Sequence, residues 1–545
     1  MLRAPTPPYF VAGLALIGLA SAALWAVRFQ AARHATSEQV LGIVSVSRIQ
    51  SLDPDQQAQT GTVAIRNRLL QALREGLVEF DPRLQAPVPA MAESWDIAAD
   101  SRSAVFHLRP GLRWNNGEPL VAADFEFAFR RALSVGSAVN ESLMILRNGR
   151  AFANQRLADP SLLGVTAVDP VTLRLDFEHP VPGLLMELCD PAWVPLHAAS
   201  LGALENGSYW LHPSQLVTNG PFELAQASAD RLVLRPNPHY RARSEIHLAS
   251  VEMLYTEDAA LYPRVLQAGR AQLSDRLASG DVAIAPRTGI ELWRDPTLAT
   301  GWVHFNLRQG PLADRRVRQA LSLALDRSRL ASEVSTVNVR AARACLPPVN
   351  DWDDVRTVRE DLSEAKRLLG EAGYPDGRGF PVLTWPYRNT GTDASVRLPE
   401  VCSAQWRDRL GLQIYLLPVD EDEFQHRLTT HGYDVVLAPV VSPLPDLTHL
   451  ASQLITARVR AYSGWDGAGV ARLLEKAREA RRDQVHDRIL AFENAYLDEM
   501  PATPLIFYNR HTLKSLSVGG WYVDSTGQHP LKYLSLTEAP LAVDD

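Results

Sequence analysis

Cysteine is scarce in this chain. There are three, Cys189, Cys345 and Cys402, and their separations rule out any CxxC metal or redox motif. One disulfide with a thiol left over is open to them, and three small buried hydrophobes is the plainer reading. The low count does not identify a compartment. Charge of one sign is also lacking. The 55 basic and 62 acidic side chains leave a formal net charge of -7. That balance offers no basic stripe to a phosphate backbone, so no nucleic acid is expected as a partner. The common catalytic signatures are missing: there is no HExxH, no GxSxG, no P-loop and no GxGxxG. The 14 histidines are scattered without metal-ligand spacing. No cofactor or metal is implied, and an enzyme would need a site assembled from residues far apart in sequence. Internal repeats and low-complexity tracts are absent too.

What the chain does have is length. At 545 residues it exceeds one core, which points to two or more domains, and its 46% hydrophobic and 21% charged content is globular. One long apolar run stands at the start. Phe10 to Val27 carries no charge, with Arg3 before it and Arg28 and Arg33 after it. It is long enough for a marginal membrane span, and Ala20-Ser21-Ala22 inside it is an A-x-A-like cleavage site. No cysteine lies near it, so no lipoprotein anchor is expected. The reading is export, with the run either cleaved or kept as an anchor, followed by a polar tether over 28–37. The rest would lie outside the cytoplasmic membrane.

The segment from Met91 to Leu133 is the most legible. Val105 to Leu108 reads as a short strand. Asn116-Gly117 is a tight-turn dipeptide because both residues tolerate positive φ. Phe125, Ala128, Phe129, Ala132 and Leu133 then recur at helical spacing, with Asp124 near the helix start. Further on, Val171 to Phe177 alternates as a half-buried strand should. Asp361 to Glu364 is a capping-box pattern whose helix should stop near Gly373 and Pro375. Leu412–Val419 and Tyr433–Val441 read as buried strands. Strands and helices alternate with Pro/Gly-rich connections throughout, which favours an α/β fold.

The Met91–Leu133 string resembles the signature region of the bacterial family 5 extracellular solute-binding proteins, the oligopeptide- and dipeptide-binding components of ABC importers. Other blocks agree in order and spacing: Ser51-Leu-Asp-Pro54, Arg74-Glu-Gly-Leu77, Thr218-Asn-Gly-Pro-Phe222, Asn237-Pro-His-Tyr240, Phe305-Asn306, Asp314 to Leu321, Ala324 to Arg327, and Glu371 to Gly377. The resemblance covers about Leu41 to Leu536. It implies a periplasmic-binding-protein-like, three-lobed α/β fold in which two lobes close over a ligand. The first lobe would be discontinuous, over 38–75, 190–295 and 500–545. An extra lobe would cover 76–189, and the second closing lobe 296–499.

The resemblance also implies a site. Gly61, Thr62, Val63 and Ala64 match the segment edging the first ligand subsite, or form a plain loop before a helix. Asn306 falls at the lobe crossing and Trp302 just before it; each has a structural reading, as a turn asparagine and a core tryptophan. Val440, Val441 and Ser442 lie on the run that would face the ligand, Asp446 nearby matches the acidic residue before the family's proline, and Trp465 lies in a ligand-side loop. Glu421 and Asp422 read as a solvated face. At the position of the family's amine-binding aspartate this chain has Pro443, and Pro439 also lacks an amide hydrogen, so recognition of a peptide α-amine is in question. The implied partners are a peptide or other small solute and the permease subunits of an ABC importer in the inner membrane, with the protein itself monomeric. A membrane-tethered sensor with a degenerate binding fold is the alternative.

Overall fold

The structure, a computed structural model, describes residues 39–56, 63–134, 138–157, 159–181, 183–202, 210–275, 289–334, 339–349, 352, 355–388, 393–442, 444–522 and 529–537. The apolar run at 10–27, the tether, Gly61, Thr62 and Pro443 lie outside these residues.

A nine-stranded mixed sheet organises the chain. Its strands are β1 (Val40–Ser45), β2 (Phe222–Ala227), β3 (Arg231–Pro236), β4 (Ser250–Tyr255), β5 (Leu273–Ser274), β6 (Ile290–Phe305), β7 (Val339–Ala341), β8 (Val435–Val441) and β9 (Ala502–Ser515). Their order is β8-β6-β9-β5-β1-β4-β3-β2, with β7 also on β9. β1 runs parallel to β4 and β5, and the other pairs are antiparallel.

The two longest strands, β6 and β9, run through both halves of the molecule. Ile290–Pro296 of β6 pairs with Asn509–Ser515 beside β5 and β1, whereas Thr300–His304 pairs with Ala502–Phe507 and, on its other side, with β8. Between the two zones the register slips, at Pro296/Thr300 and again at Gly301/Trp302. Pro296 has no N–H for the ladder, and such irregularities bend a strand pair.

Separate cores form on either side of that bend. The first runs from Leu41 through Met253 and takes back Val518, Leu531, Leu534 and Leu536 from the chain's end. It includes a four-stranded antiparallel sheet in the order Ala92–Ile97, Ser103–Leu108, Thr172–Asp176, Val165–Asp169. There the local reading holds. Ser103–Leu108 alternates buried and half-buried residues. Gly117 turns the chain at φ +86°, with its N–H on the Trp114 carbonyl at 2.9 Å. Helix Ala122–Ser134 buries Phe125, Ala128, Phe129, Ala132 and Leu133, and Phe129 packs edge-on to Trp193 at 5.1 Å. The second half holds two adjoining clusters, one around Val303, Leu321, Trp385 and Trp406, the other around Trp302, Leu450, Phe492 and Tyr496.

Asp361 caps helix Leu362–Glu371, its carboxylate accepting from the Glu364 N–H at 3.0 Å. The helix stops at Gly373, where φ is +96°. Two strand expectations need correction. Ile414–Val419 belongs to a two-stranded parallel sheet with Leu383–Arg388 and is largely uncovered, with Tyr415 56% exposed. β8 is buried over Val435 and Val436 but opens toward its end, where Val441 is 52% exposed, because it is the outer strand of its sheet. All three cysteines are free thiols, Cys345 and Cys402 buried and Cys189 half-buried.

Candidate functional site

Three sequence blocks far apart in the chain converge on Glu75. The Asn219 side chain donates to the Glu75 carbonyl at 2.7 Å. Asn237 donates to the Gly220 carbonyl at 3.0 Å. The Tyr240 hydroxyl donates to Glu75 Oε1 at 2.6 Å, and Arg241 binds the same carboxylate through Nε at 2.7 Å and Nη2 at 3.0 Å. Gly220 is pressed against the backbone: a Cβ there would lie 2.4 Å from the Arg74 nitrogen. The backbone from Arg74 to Gly76 is thereby fixed as a wall.

That wall lines a cavity of about 110 Å³ that opens to solvent. Gln71, Arg74, Glu75 and Glu79 line it from the first half, together with Cys189, Asp190 and Pro191, and Lys532 returns from the chain's end. Leu444, which follows β8 in the second half, lines it too. The cavity therefore lies where the two halves meet.

Its charges are arranged in pairs. Lys532 bonds Glu79 directly. Burial raises the Glu79 carboxyl above its ordinary range, opposed by Lys532 and helped by the nearby Glu75. Burial works against the Lys532 ammonium, but Glu79 and Glu75 together hold its pKa up. Burial also pushes up the Cys189 thiol, so no reactive thiolate faces the cavity. Asp190, half-buried, has its carboxyl raised by desolvation, with His449 pulling the other way.

His449 belongs to the second half. It sits on helix Leu447–Gln453, and its Nδ1 is 3.3 Å from each carboxylate oxygen of Glu187, in the first half. The Glu187 carboxyl is held below its ordinary range: desolvation would raise it, and the His449 hydrogen bond and charge, then Arg478, outweigh this. His449 is shifted up, its burial outweighed by Glu187, Asp190 and Asp446.

β8 is the outer strand of its sheet, and Leu444, shortly beyond its end, reaches the cavity. Asp434, just before it, is covered, its N–H on the Thr384 carbonyl at 3.1 Å. Farther along, Ser442 N–H bonds the Leu298 carbonyl at 2.8 Å, in the same register as Val440 opposite Thr300. Antiparallel alternation then turns the backbone groups of Leu437, Pro439 and Val441 outward. Pro439 has no N–H, so the outer edge has a donor gap between Leu437 and Val441.

The residues expected at the site fare unequally. Val441 is on this edge, whereas Val440 turns its backbone inward to Thr300. Ser442 is buried and spent in a local turn, its Oγ donating to the Leu444 carbonyl at 2.9 Å. Asp446 is a helix N-cap, accepting from the His449 N–H at 2.8 Å and the Thr448 hydroxyl at 2.5 Å. Trp302 does not floor a pocket: it is fully buried, edge-on to Tyr496 at 5.6 Å, because its side of β6 faces the second-half core. Asn306 is buried and engaged, donating to the Tyr433 carbonyl at 2.9 Å and accepting from Arg308. Trp465 is a half-buried ring against Tyr496 at 5.3 Å, not a free aromatic. Val63 and Ala64 begin helix Val63–Leu73. Glu421 lies in the first turn of an exposed helix and pairs with Arg388 at 3.2 Å. The cavity residues Gln71, Glu79, Asp190 and Lys532 carry no sequence signal, whereas Pro54, Arg74, Glu75, Gly76 and Pro221 belong to family-like blocks.

Comparison with known proteins identifies the setting. The model of the bacterial extracellular solute-binding proteins, family 5, matches residues 86–455, and the chain belongs to that family. It is 31% identical to the probable deoxycholate-binding periplasmic protein YgiS of Escherichia coli, over 74% of this chain and 75% of that one. It is 25% identical to the periplasmic oligopeptide-binding protein OppA of Escherichia coli, over 89% of each. Among solved structures it superimposes on an oligopeptide-binding protein of Borrelia burgdorferi with a TM-score of 0.76 at 23% identity, covering 92% of this chain and all of that one. The murein tripeptide-binding protein MppA of Escherichia coli gives 0.75 at 22%, covering 92% and 98%. The fold is that of the periplasmic binding proteins, as the sequence blocks implied.

Proposed function

We propose that this chain is the exported capture component of an ABC importer: it encloses a peptide or peptide-like solute between its two halves and presents the loaded form to permease subunits in the inner membrane. The observation that carries this reading is a pair of separately packed cores joined by β6 and β9 with their register slips, with a cavity lined by the first half and reached by Leu444 of the second. A pair of strands that bends at one place lets two packed bodies move as units about it. Solute enclosed by both bodies favours the closed arrangement by its differential contacts.

The lobes of this reading are 38–75 with 190–295 and 500–545, an extra lobe at 76–189, and a second closing lobe at 296–499. Residues 10–27 would direct export, and the working protein would be a monomer in the periplasm, either free or tethered. Val441 would meet the solute at the β8 edge, and Gly61 to Ala64 would approach it from the facing lobe. Solute main chain adding to an open strand edge is a general mode of peptide capture. The reading requires no cofactor and no bond-making step. The tethered-sensor alternative has no observation behind it.

A second solute class has specific support. The relative with the 31% match is described as binding deoxycholate, an amphipathic hydroxylated acid, and the donor gap at Pro439 suits a solute that needs fewer N–H partners than a peptide does. Native mass spectrometry of the chain from Thr36 onward, purified without denaturation, tests both. Co-purified peptides of mixed sequence support the first class. Binding of deoxycholate without peptides supports the second. Binding of neither a peptide library nor deoxycholate overturns the capture reading.

A further inference from the structure

The contact between Glu187 and His449 joins side chains that belong to different cores. Glu187 ends helix Leu184–Glu187, whose Leu184, with Leu188 just beyond, packs in the first core. His449 lies on helix Leu447–Gln453, whose Leu450 and Ala451 pack in the second half. Movement of the halves about β6 and β9 therefore makes or breaks this contact. Asp190, behind Glu187, lines the cavity, and so does Leu444, close to His449 in sequence.

We propose that Glu187 and His449 form a proton-linked latch that holds the closed form. The inference rests on the hinged-capture reading above. Among the described residues, charged groups act on the pair from both halves. Glu187 and Asp190 come from the first half, Asp446 caps the histidine's own helix, and Arg478 acts on Glu187 from helix Ala468–Arg478. Three carboxylates, Glu187, Asp190 and Asp446, act on the ring, an environment that favours imidazolium, while Arg478 acts on Glu187. The Gln453 side-chain amide sits 3.1 Å from His449 Nε2. It gives its N–H to a neutral ring or, turned over, its oxygen to a protonated one.

The direction follows from linkage. His449 holds its proton more tightly in the latched form than at its ordinary value of 6.5. Its contribution is therefore complete below that value and is lost as pH rises through the raised one. Glu187 is held below its ordinary 4.5, so its contribution is complete above 4.5 and is lost as pH falls through the lowered one. The latch is strongest between the two ordinary values and loosens toward alkaline pH, where only a neutral hydrogen bond is left.

The test follows the two halves directly. The full-length chain is prepared with a spin-labelled unnatural residue in place of Leu84 and of Tyr415, which are 67% and 56% exposed on opposite halves. Label separations are measured by pulsed electron resonance at about pH 5.5 and about pH 8, without solute, with a tryptic digest of casein and with deoxycholate. The open fraction is expected to rise about fivefold toward pH 8 in the parent, within the range of ordinary coupling energies. In Glu187→Gln and His449→Gln it should be high and the same at both pH values. Glu187→Gln is nearly isosteric and decides the matter should His449→Gln fail to fold. A separation that responds to the digest or to deoxycholate but not to pH overturns the latch and leaves the capture reading intact. A pH response that persists unchanged in Glu187→Gln also overturns the latch. A separation that never changes overturns both.

Discussion

His449 Nδ1 lies 3.3 Å from both carboxylate oxygens of Glu187, so a histidine of one half faces a glutamate of the other within hydrogen-bond distance. The histidine is 4% exposed, and each group shifts the other's pKa toward the charged form. A bond of this kind serves stability as well as closure. Glu187→Gln should cost about 1–2 kcal/mol near pH 5.5, as for hydrogen bonds to charged groups, and progressively less toward pH 8. Thermal melts of the variant and parent across that range check this; a cost that grows with pH would contradict the assigned direction.

Glu79 and Lys532 make a second pair, half-buried in the cavity wall. Removing the cation leaves a carboxyl that burial already raises. Lys532→Met should destabilise by about 2–3 kcal/mol at pH 8, the cost of an uncompensated buried charge. Because Glu79 can then take up a proton, the loss should shrink on acidification toward pH 5. The double variant Lys532→Met/Glu79→Gln should recover most of it at pH 8. Urea titrations at the two pH values measure both effects.

Pro439 interrupts the outward donors of the β8 edge. Pro439→Ala restores one N–H at an exposed strand position and should leave stability within about 0.5 kcal/mol, as for surface changes. If peptide main chain adds to this edge, affinity for peptides should rise about fivefold, the worth of one net hydrogen bond. Calorimetric titration with a peptide that co-purifies with the parent reads this out, and unchanged affinity would place the peptide elsewhere.

Arg327 is fully buried and holds the second half together. It donates to the Pro504 carbonyl at 2.8 Å, the Thr503 hydroxyl at 2.8 Å and the Ser322 hydroxyl at 3.0 Å. Desolvation lowers its pKa to about 10, which still leaves it charged at neutral pH. Arg327→Met strands these acceptors and should cost about 3 kcal/mol or more, seen as a lowered urea midpoint.

Gly220→Ala tests the wall itself. The added Cβ would sit 2.4 Å from the Arg74 nitrogen and the Leu73 carbonyl carbon, both backbone atoms with little room to yield. The expected cost is about 2–3 kcal/mol, as for overpacking a close-packed site, together with weaker solute binding, since the wall carries Arg74 and Glu75. A melt and a binding titration on the same sample separate the two.

How far the sequence alone could go depended on distance along the chain. The turn at Gly117, the apolar face of Ala122–Ser134 and the Asp361 cap were all legible, because each is set by residues within a few positions of one another, and local sterics and hydrogen bonding decide them. The ordered blocks fixed the family and hence the fold. Burial was harder: Trp302 and Asn306 carry the same side chains whether they face a pocket or a core, and the packing around β6 turned both inward. The cavity was out of reach. Glu79 meets Lys532 across 453 positions and His449 meets Glu187 across 262. No periodicity relates such residues; only the return of the chain's end to the first core and the docking of two separately packed halves bring them together.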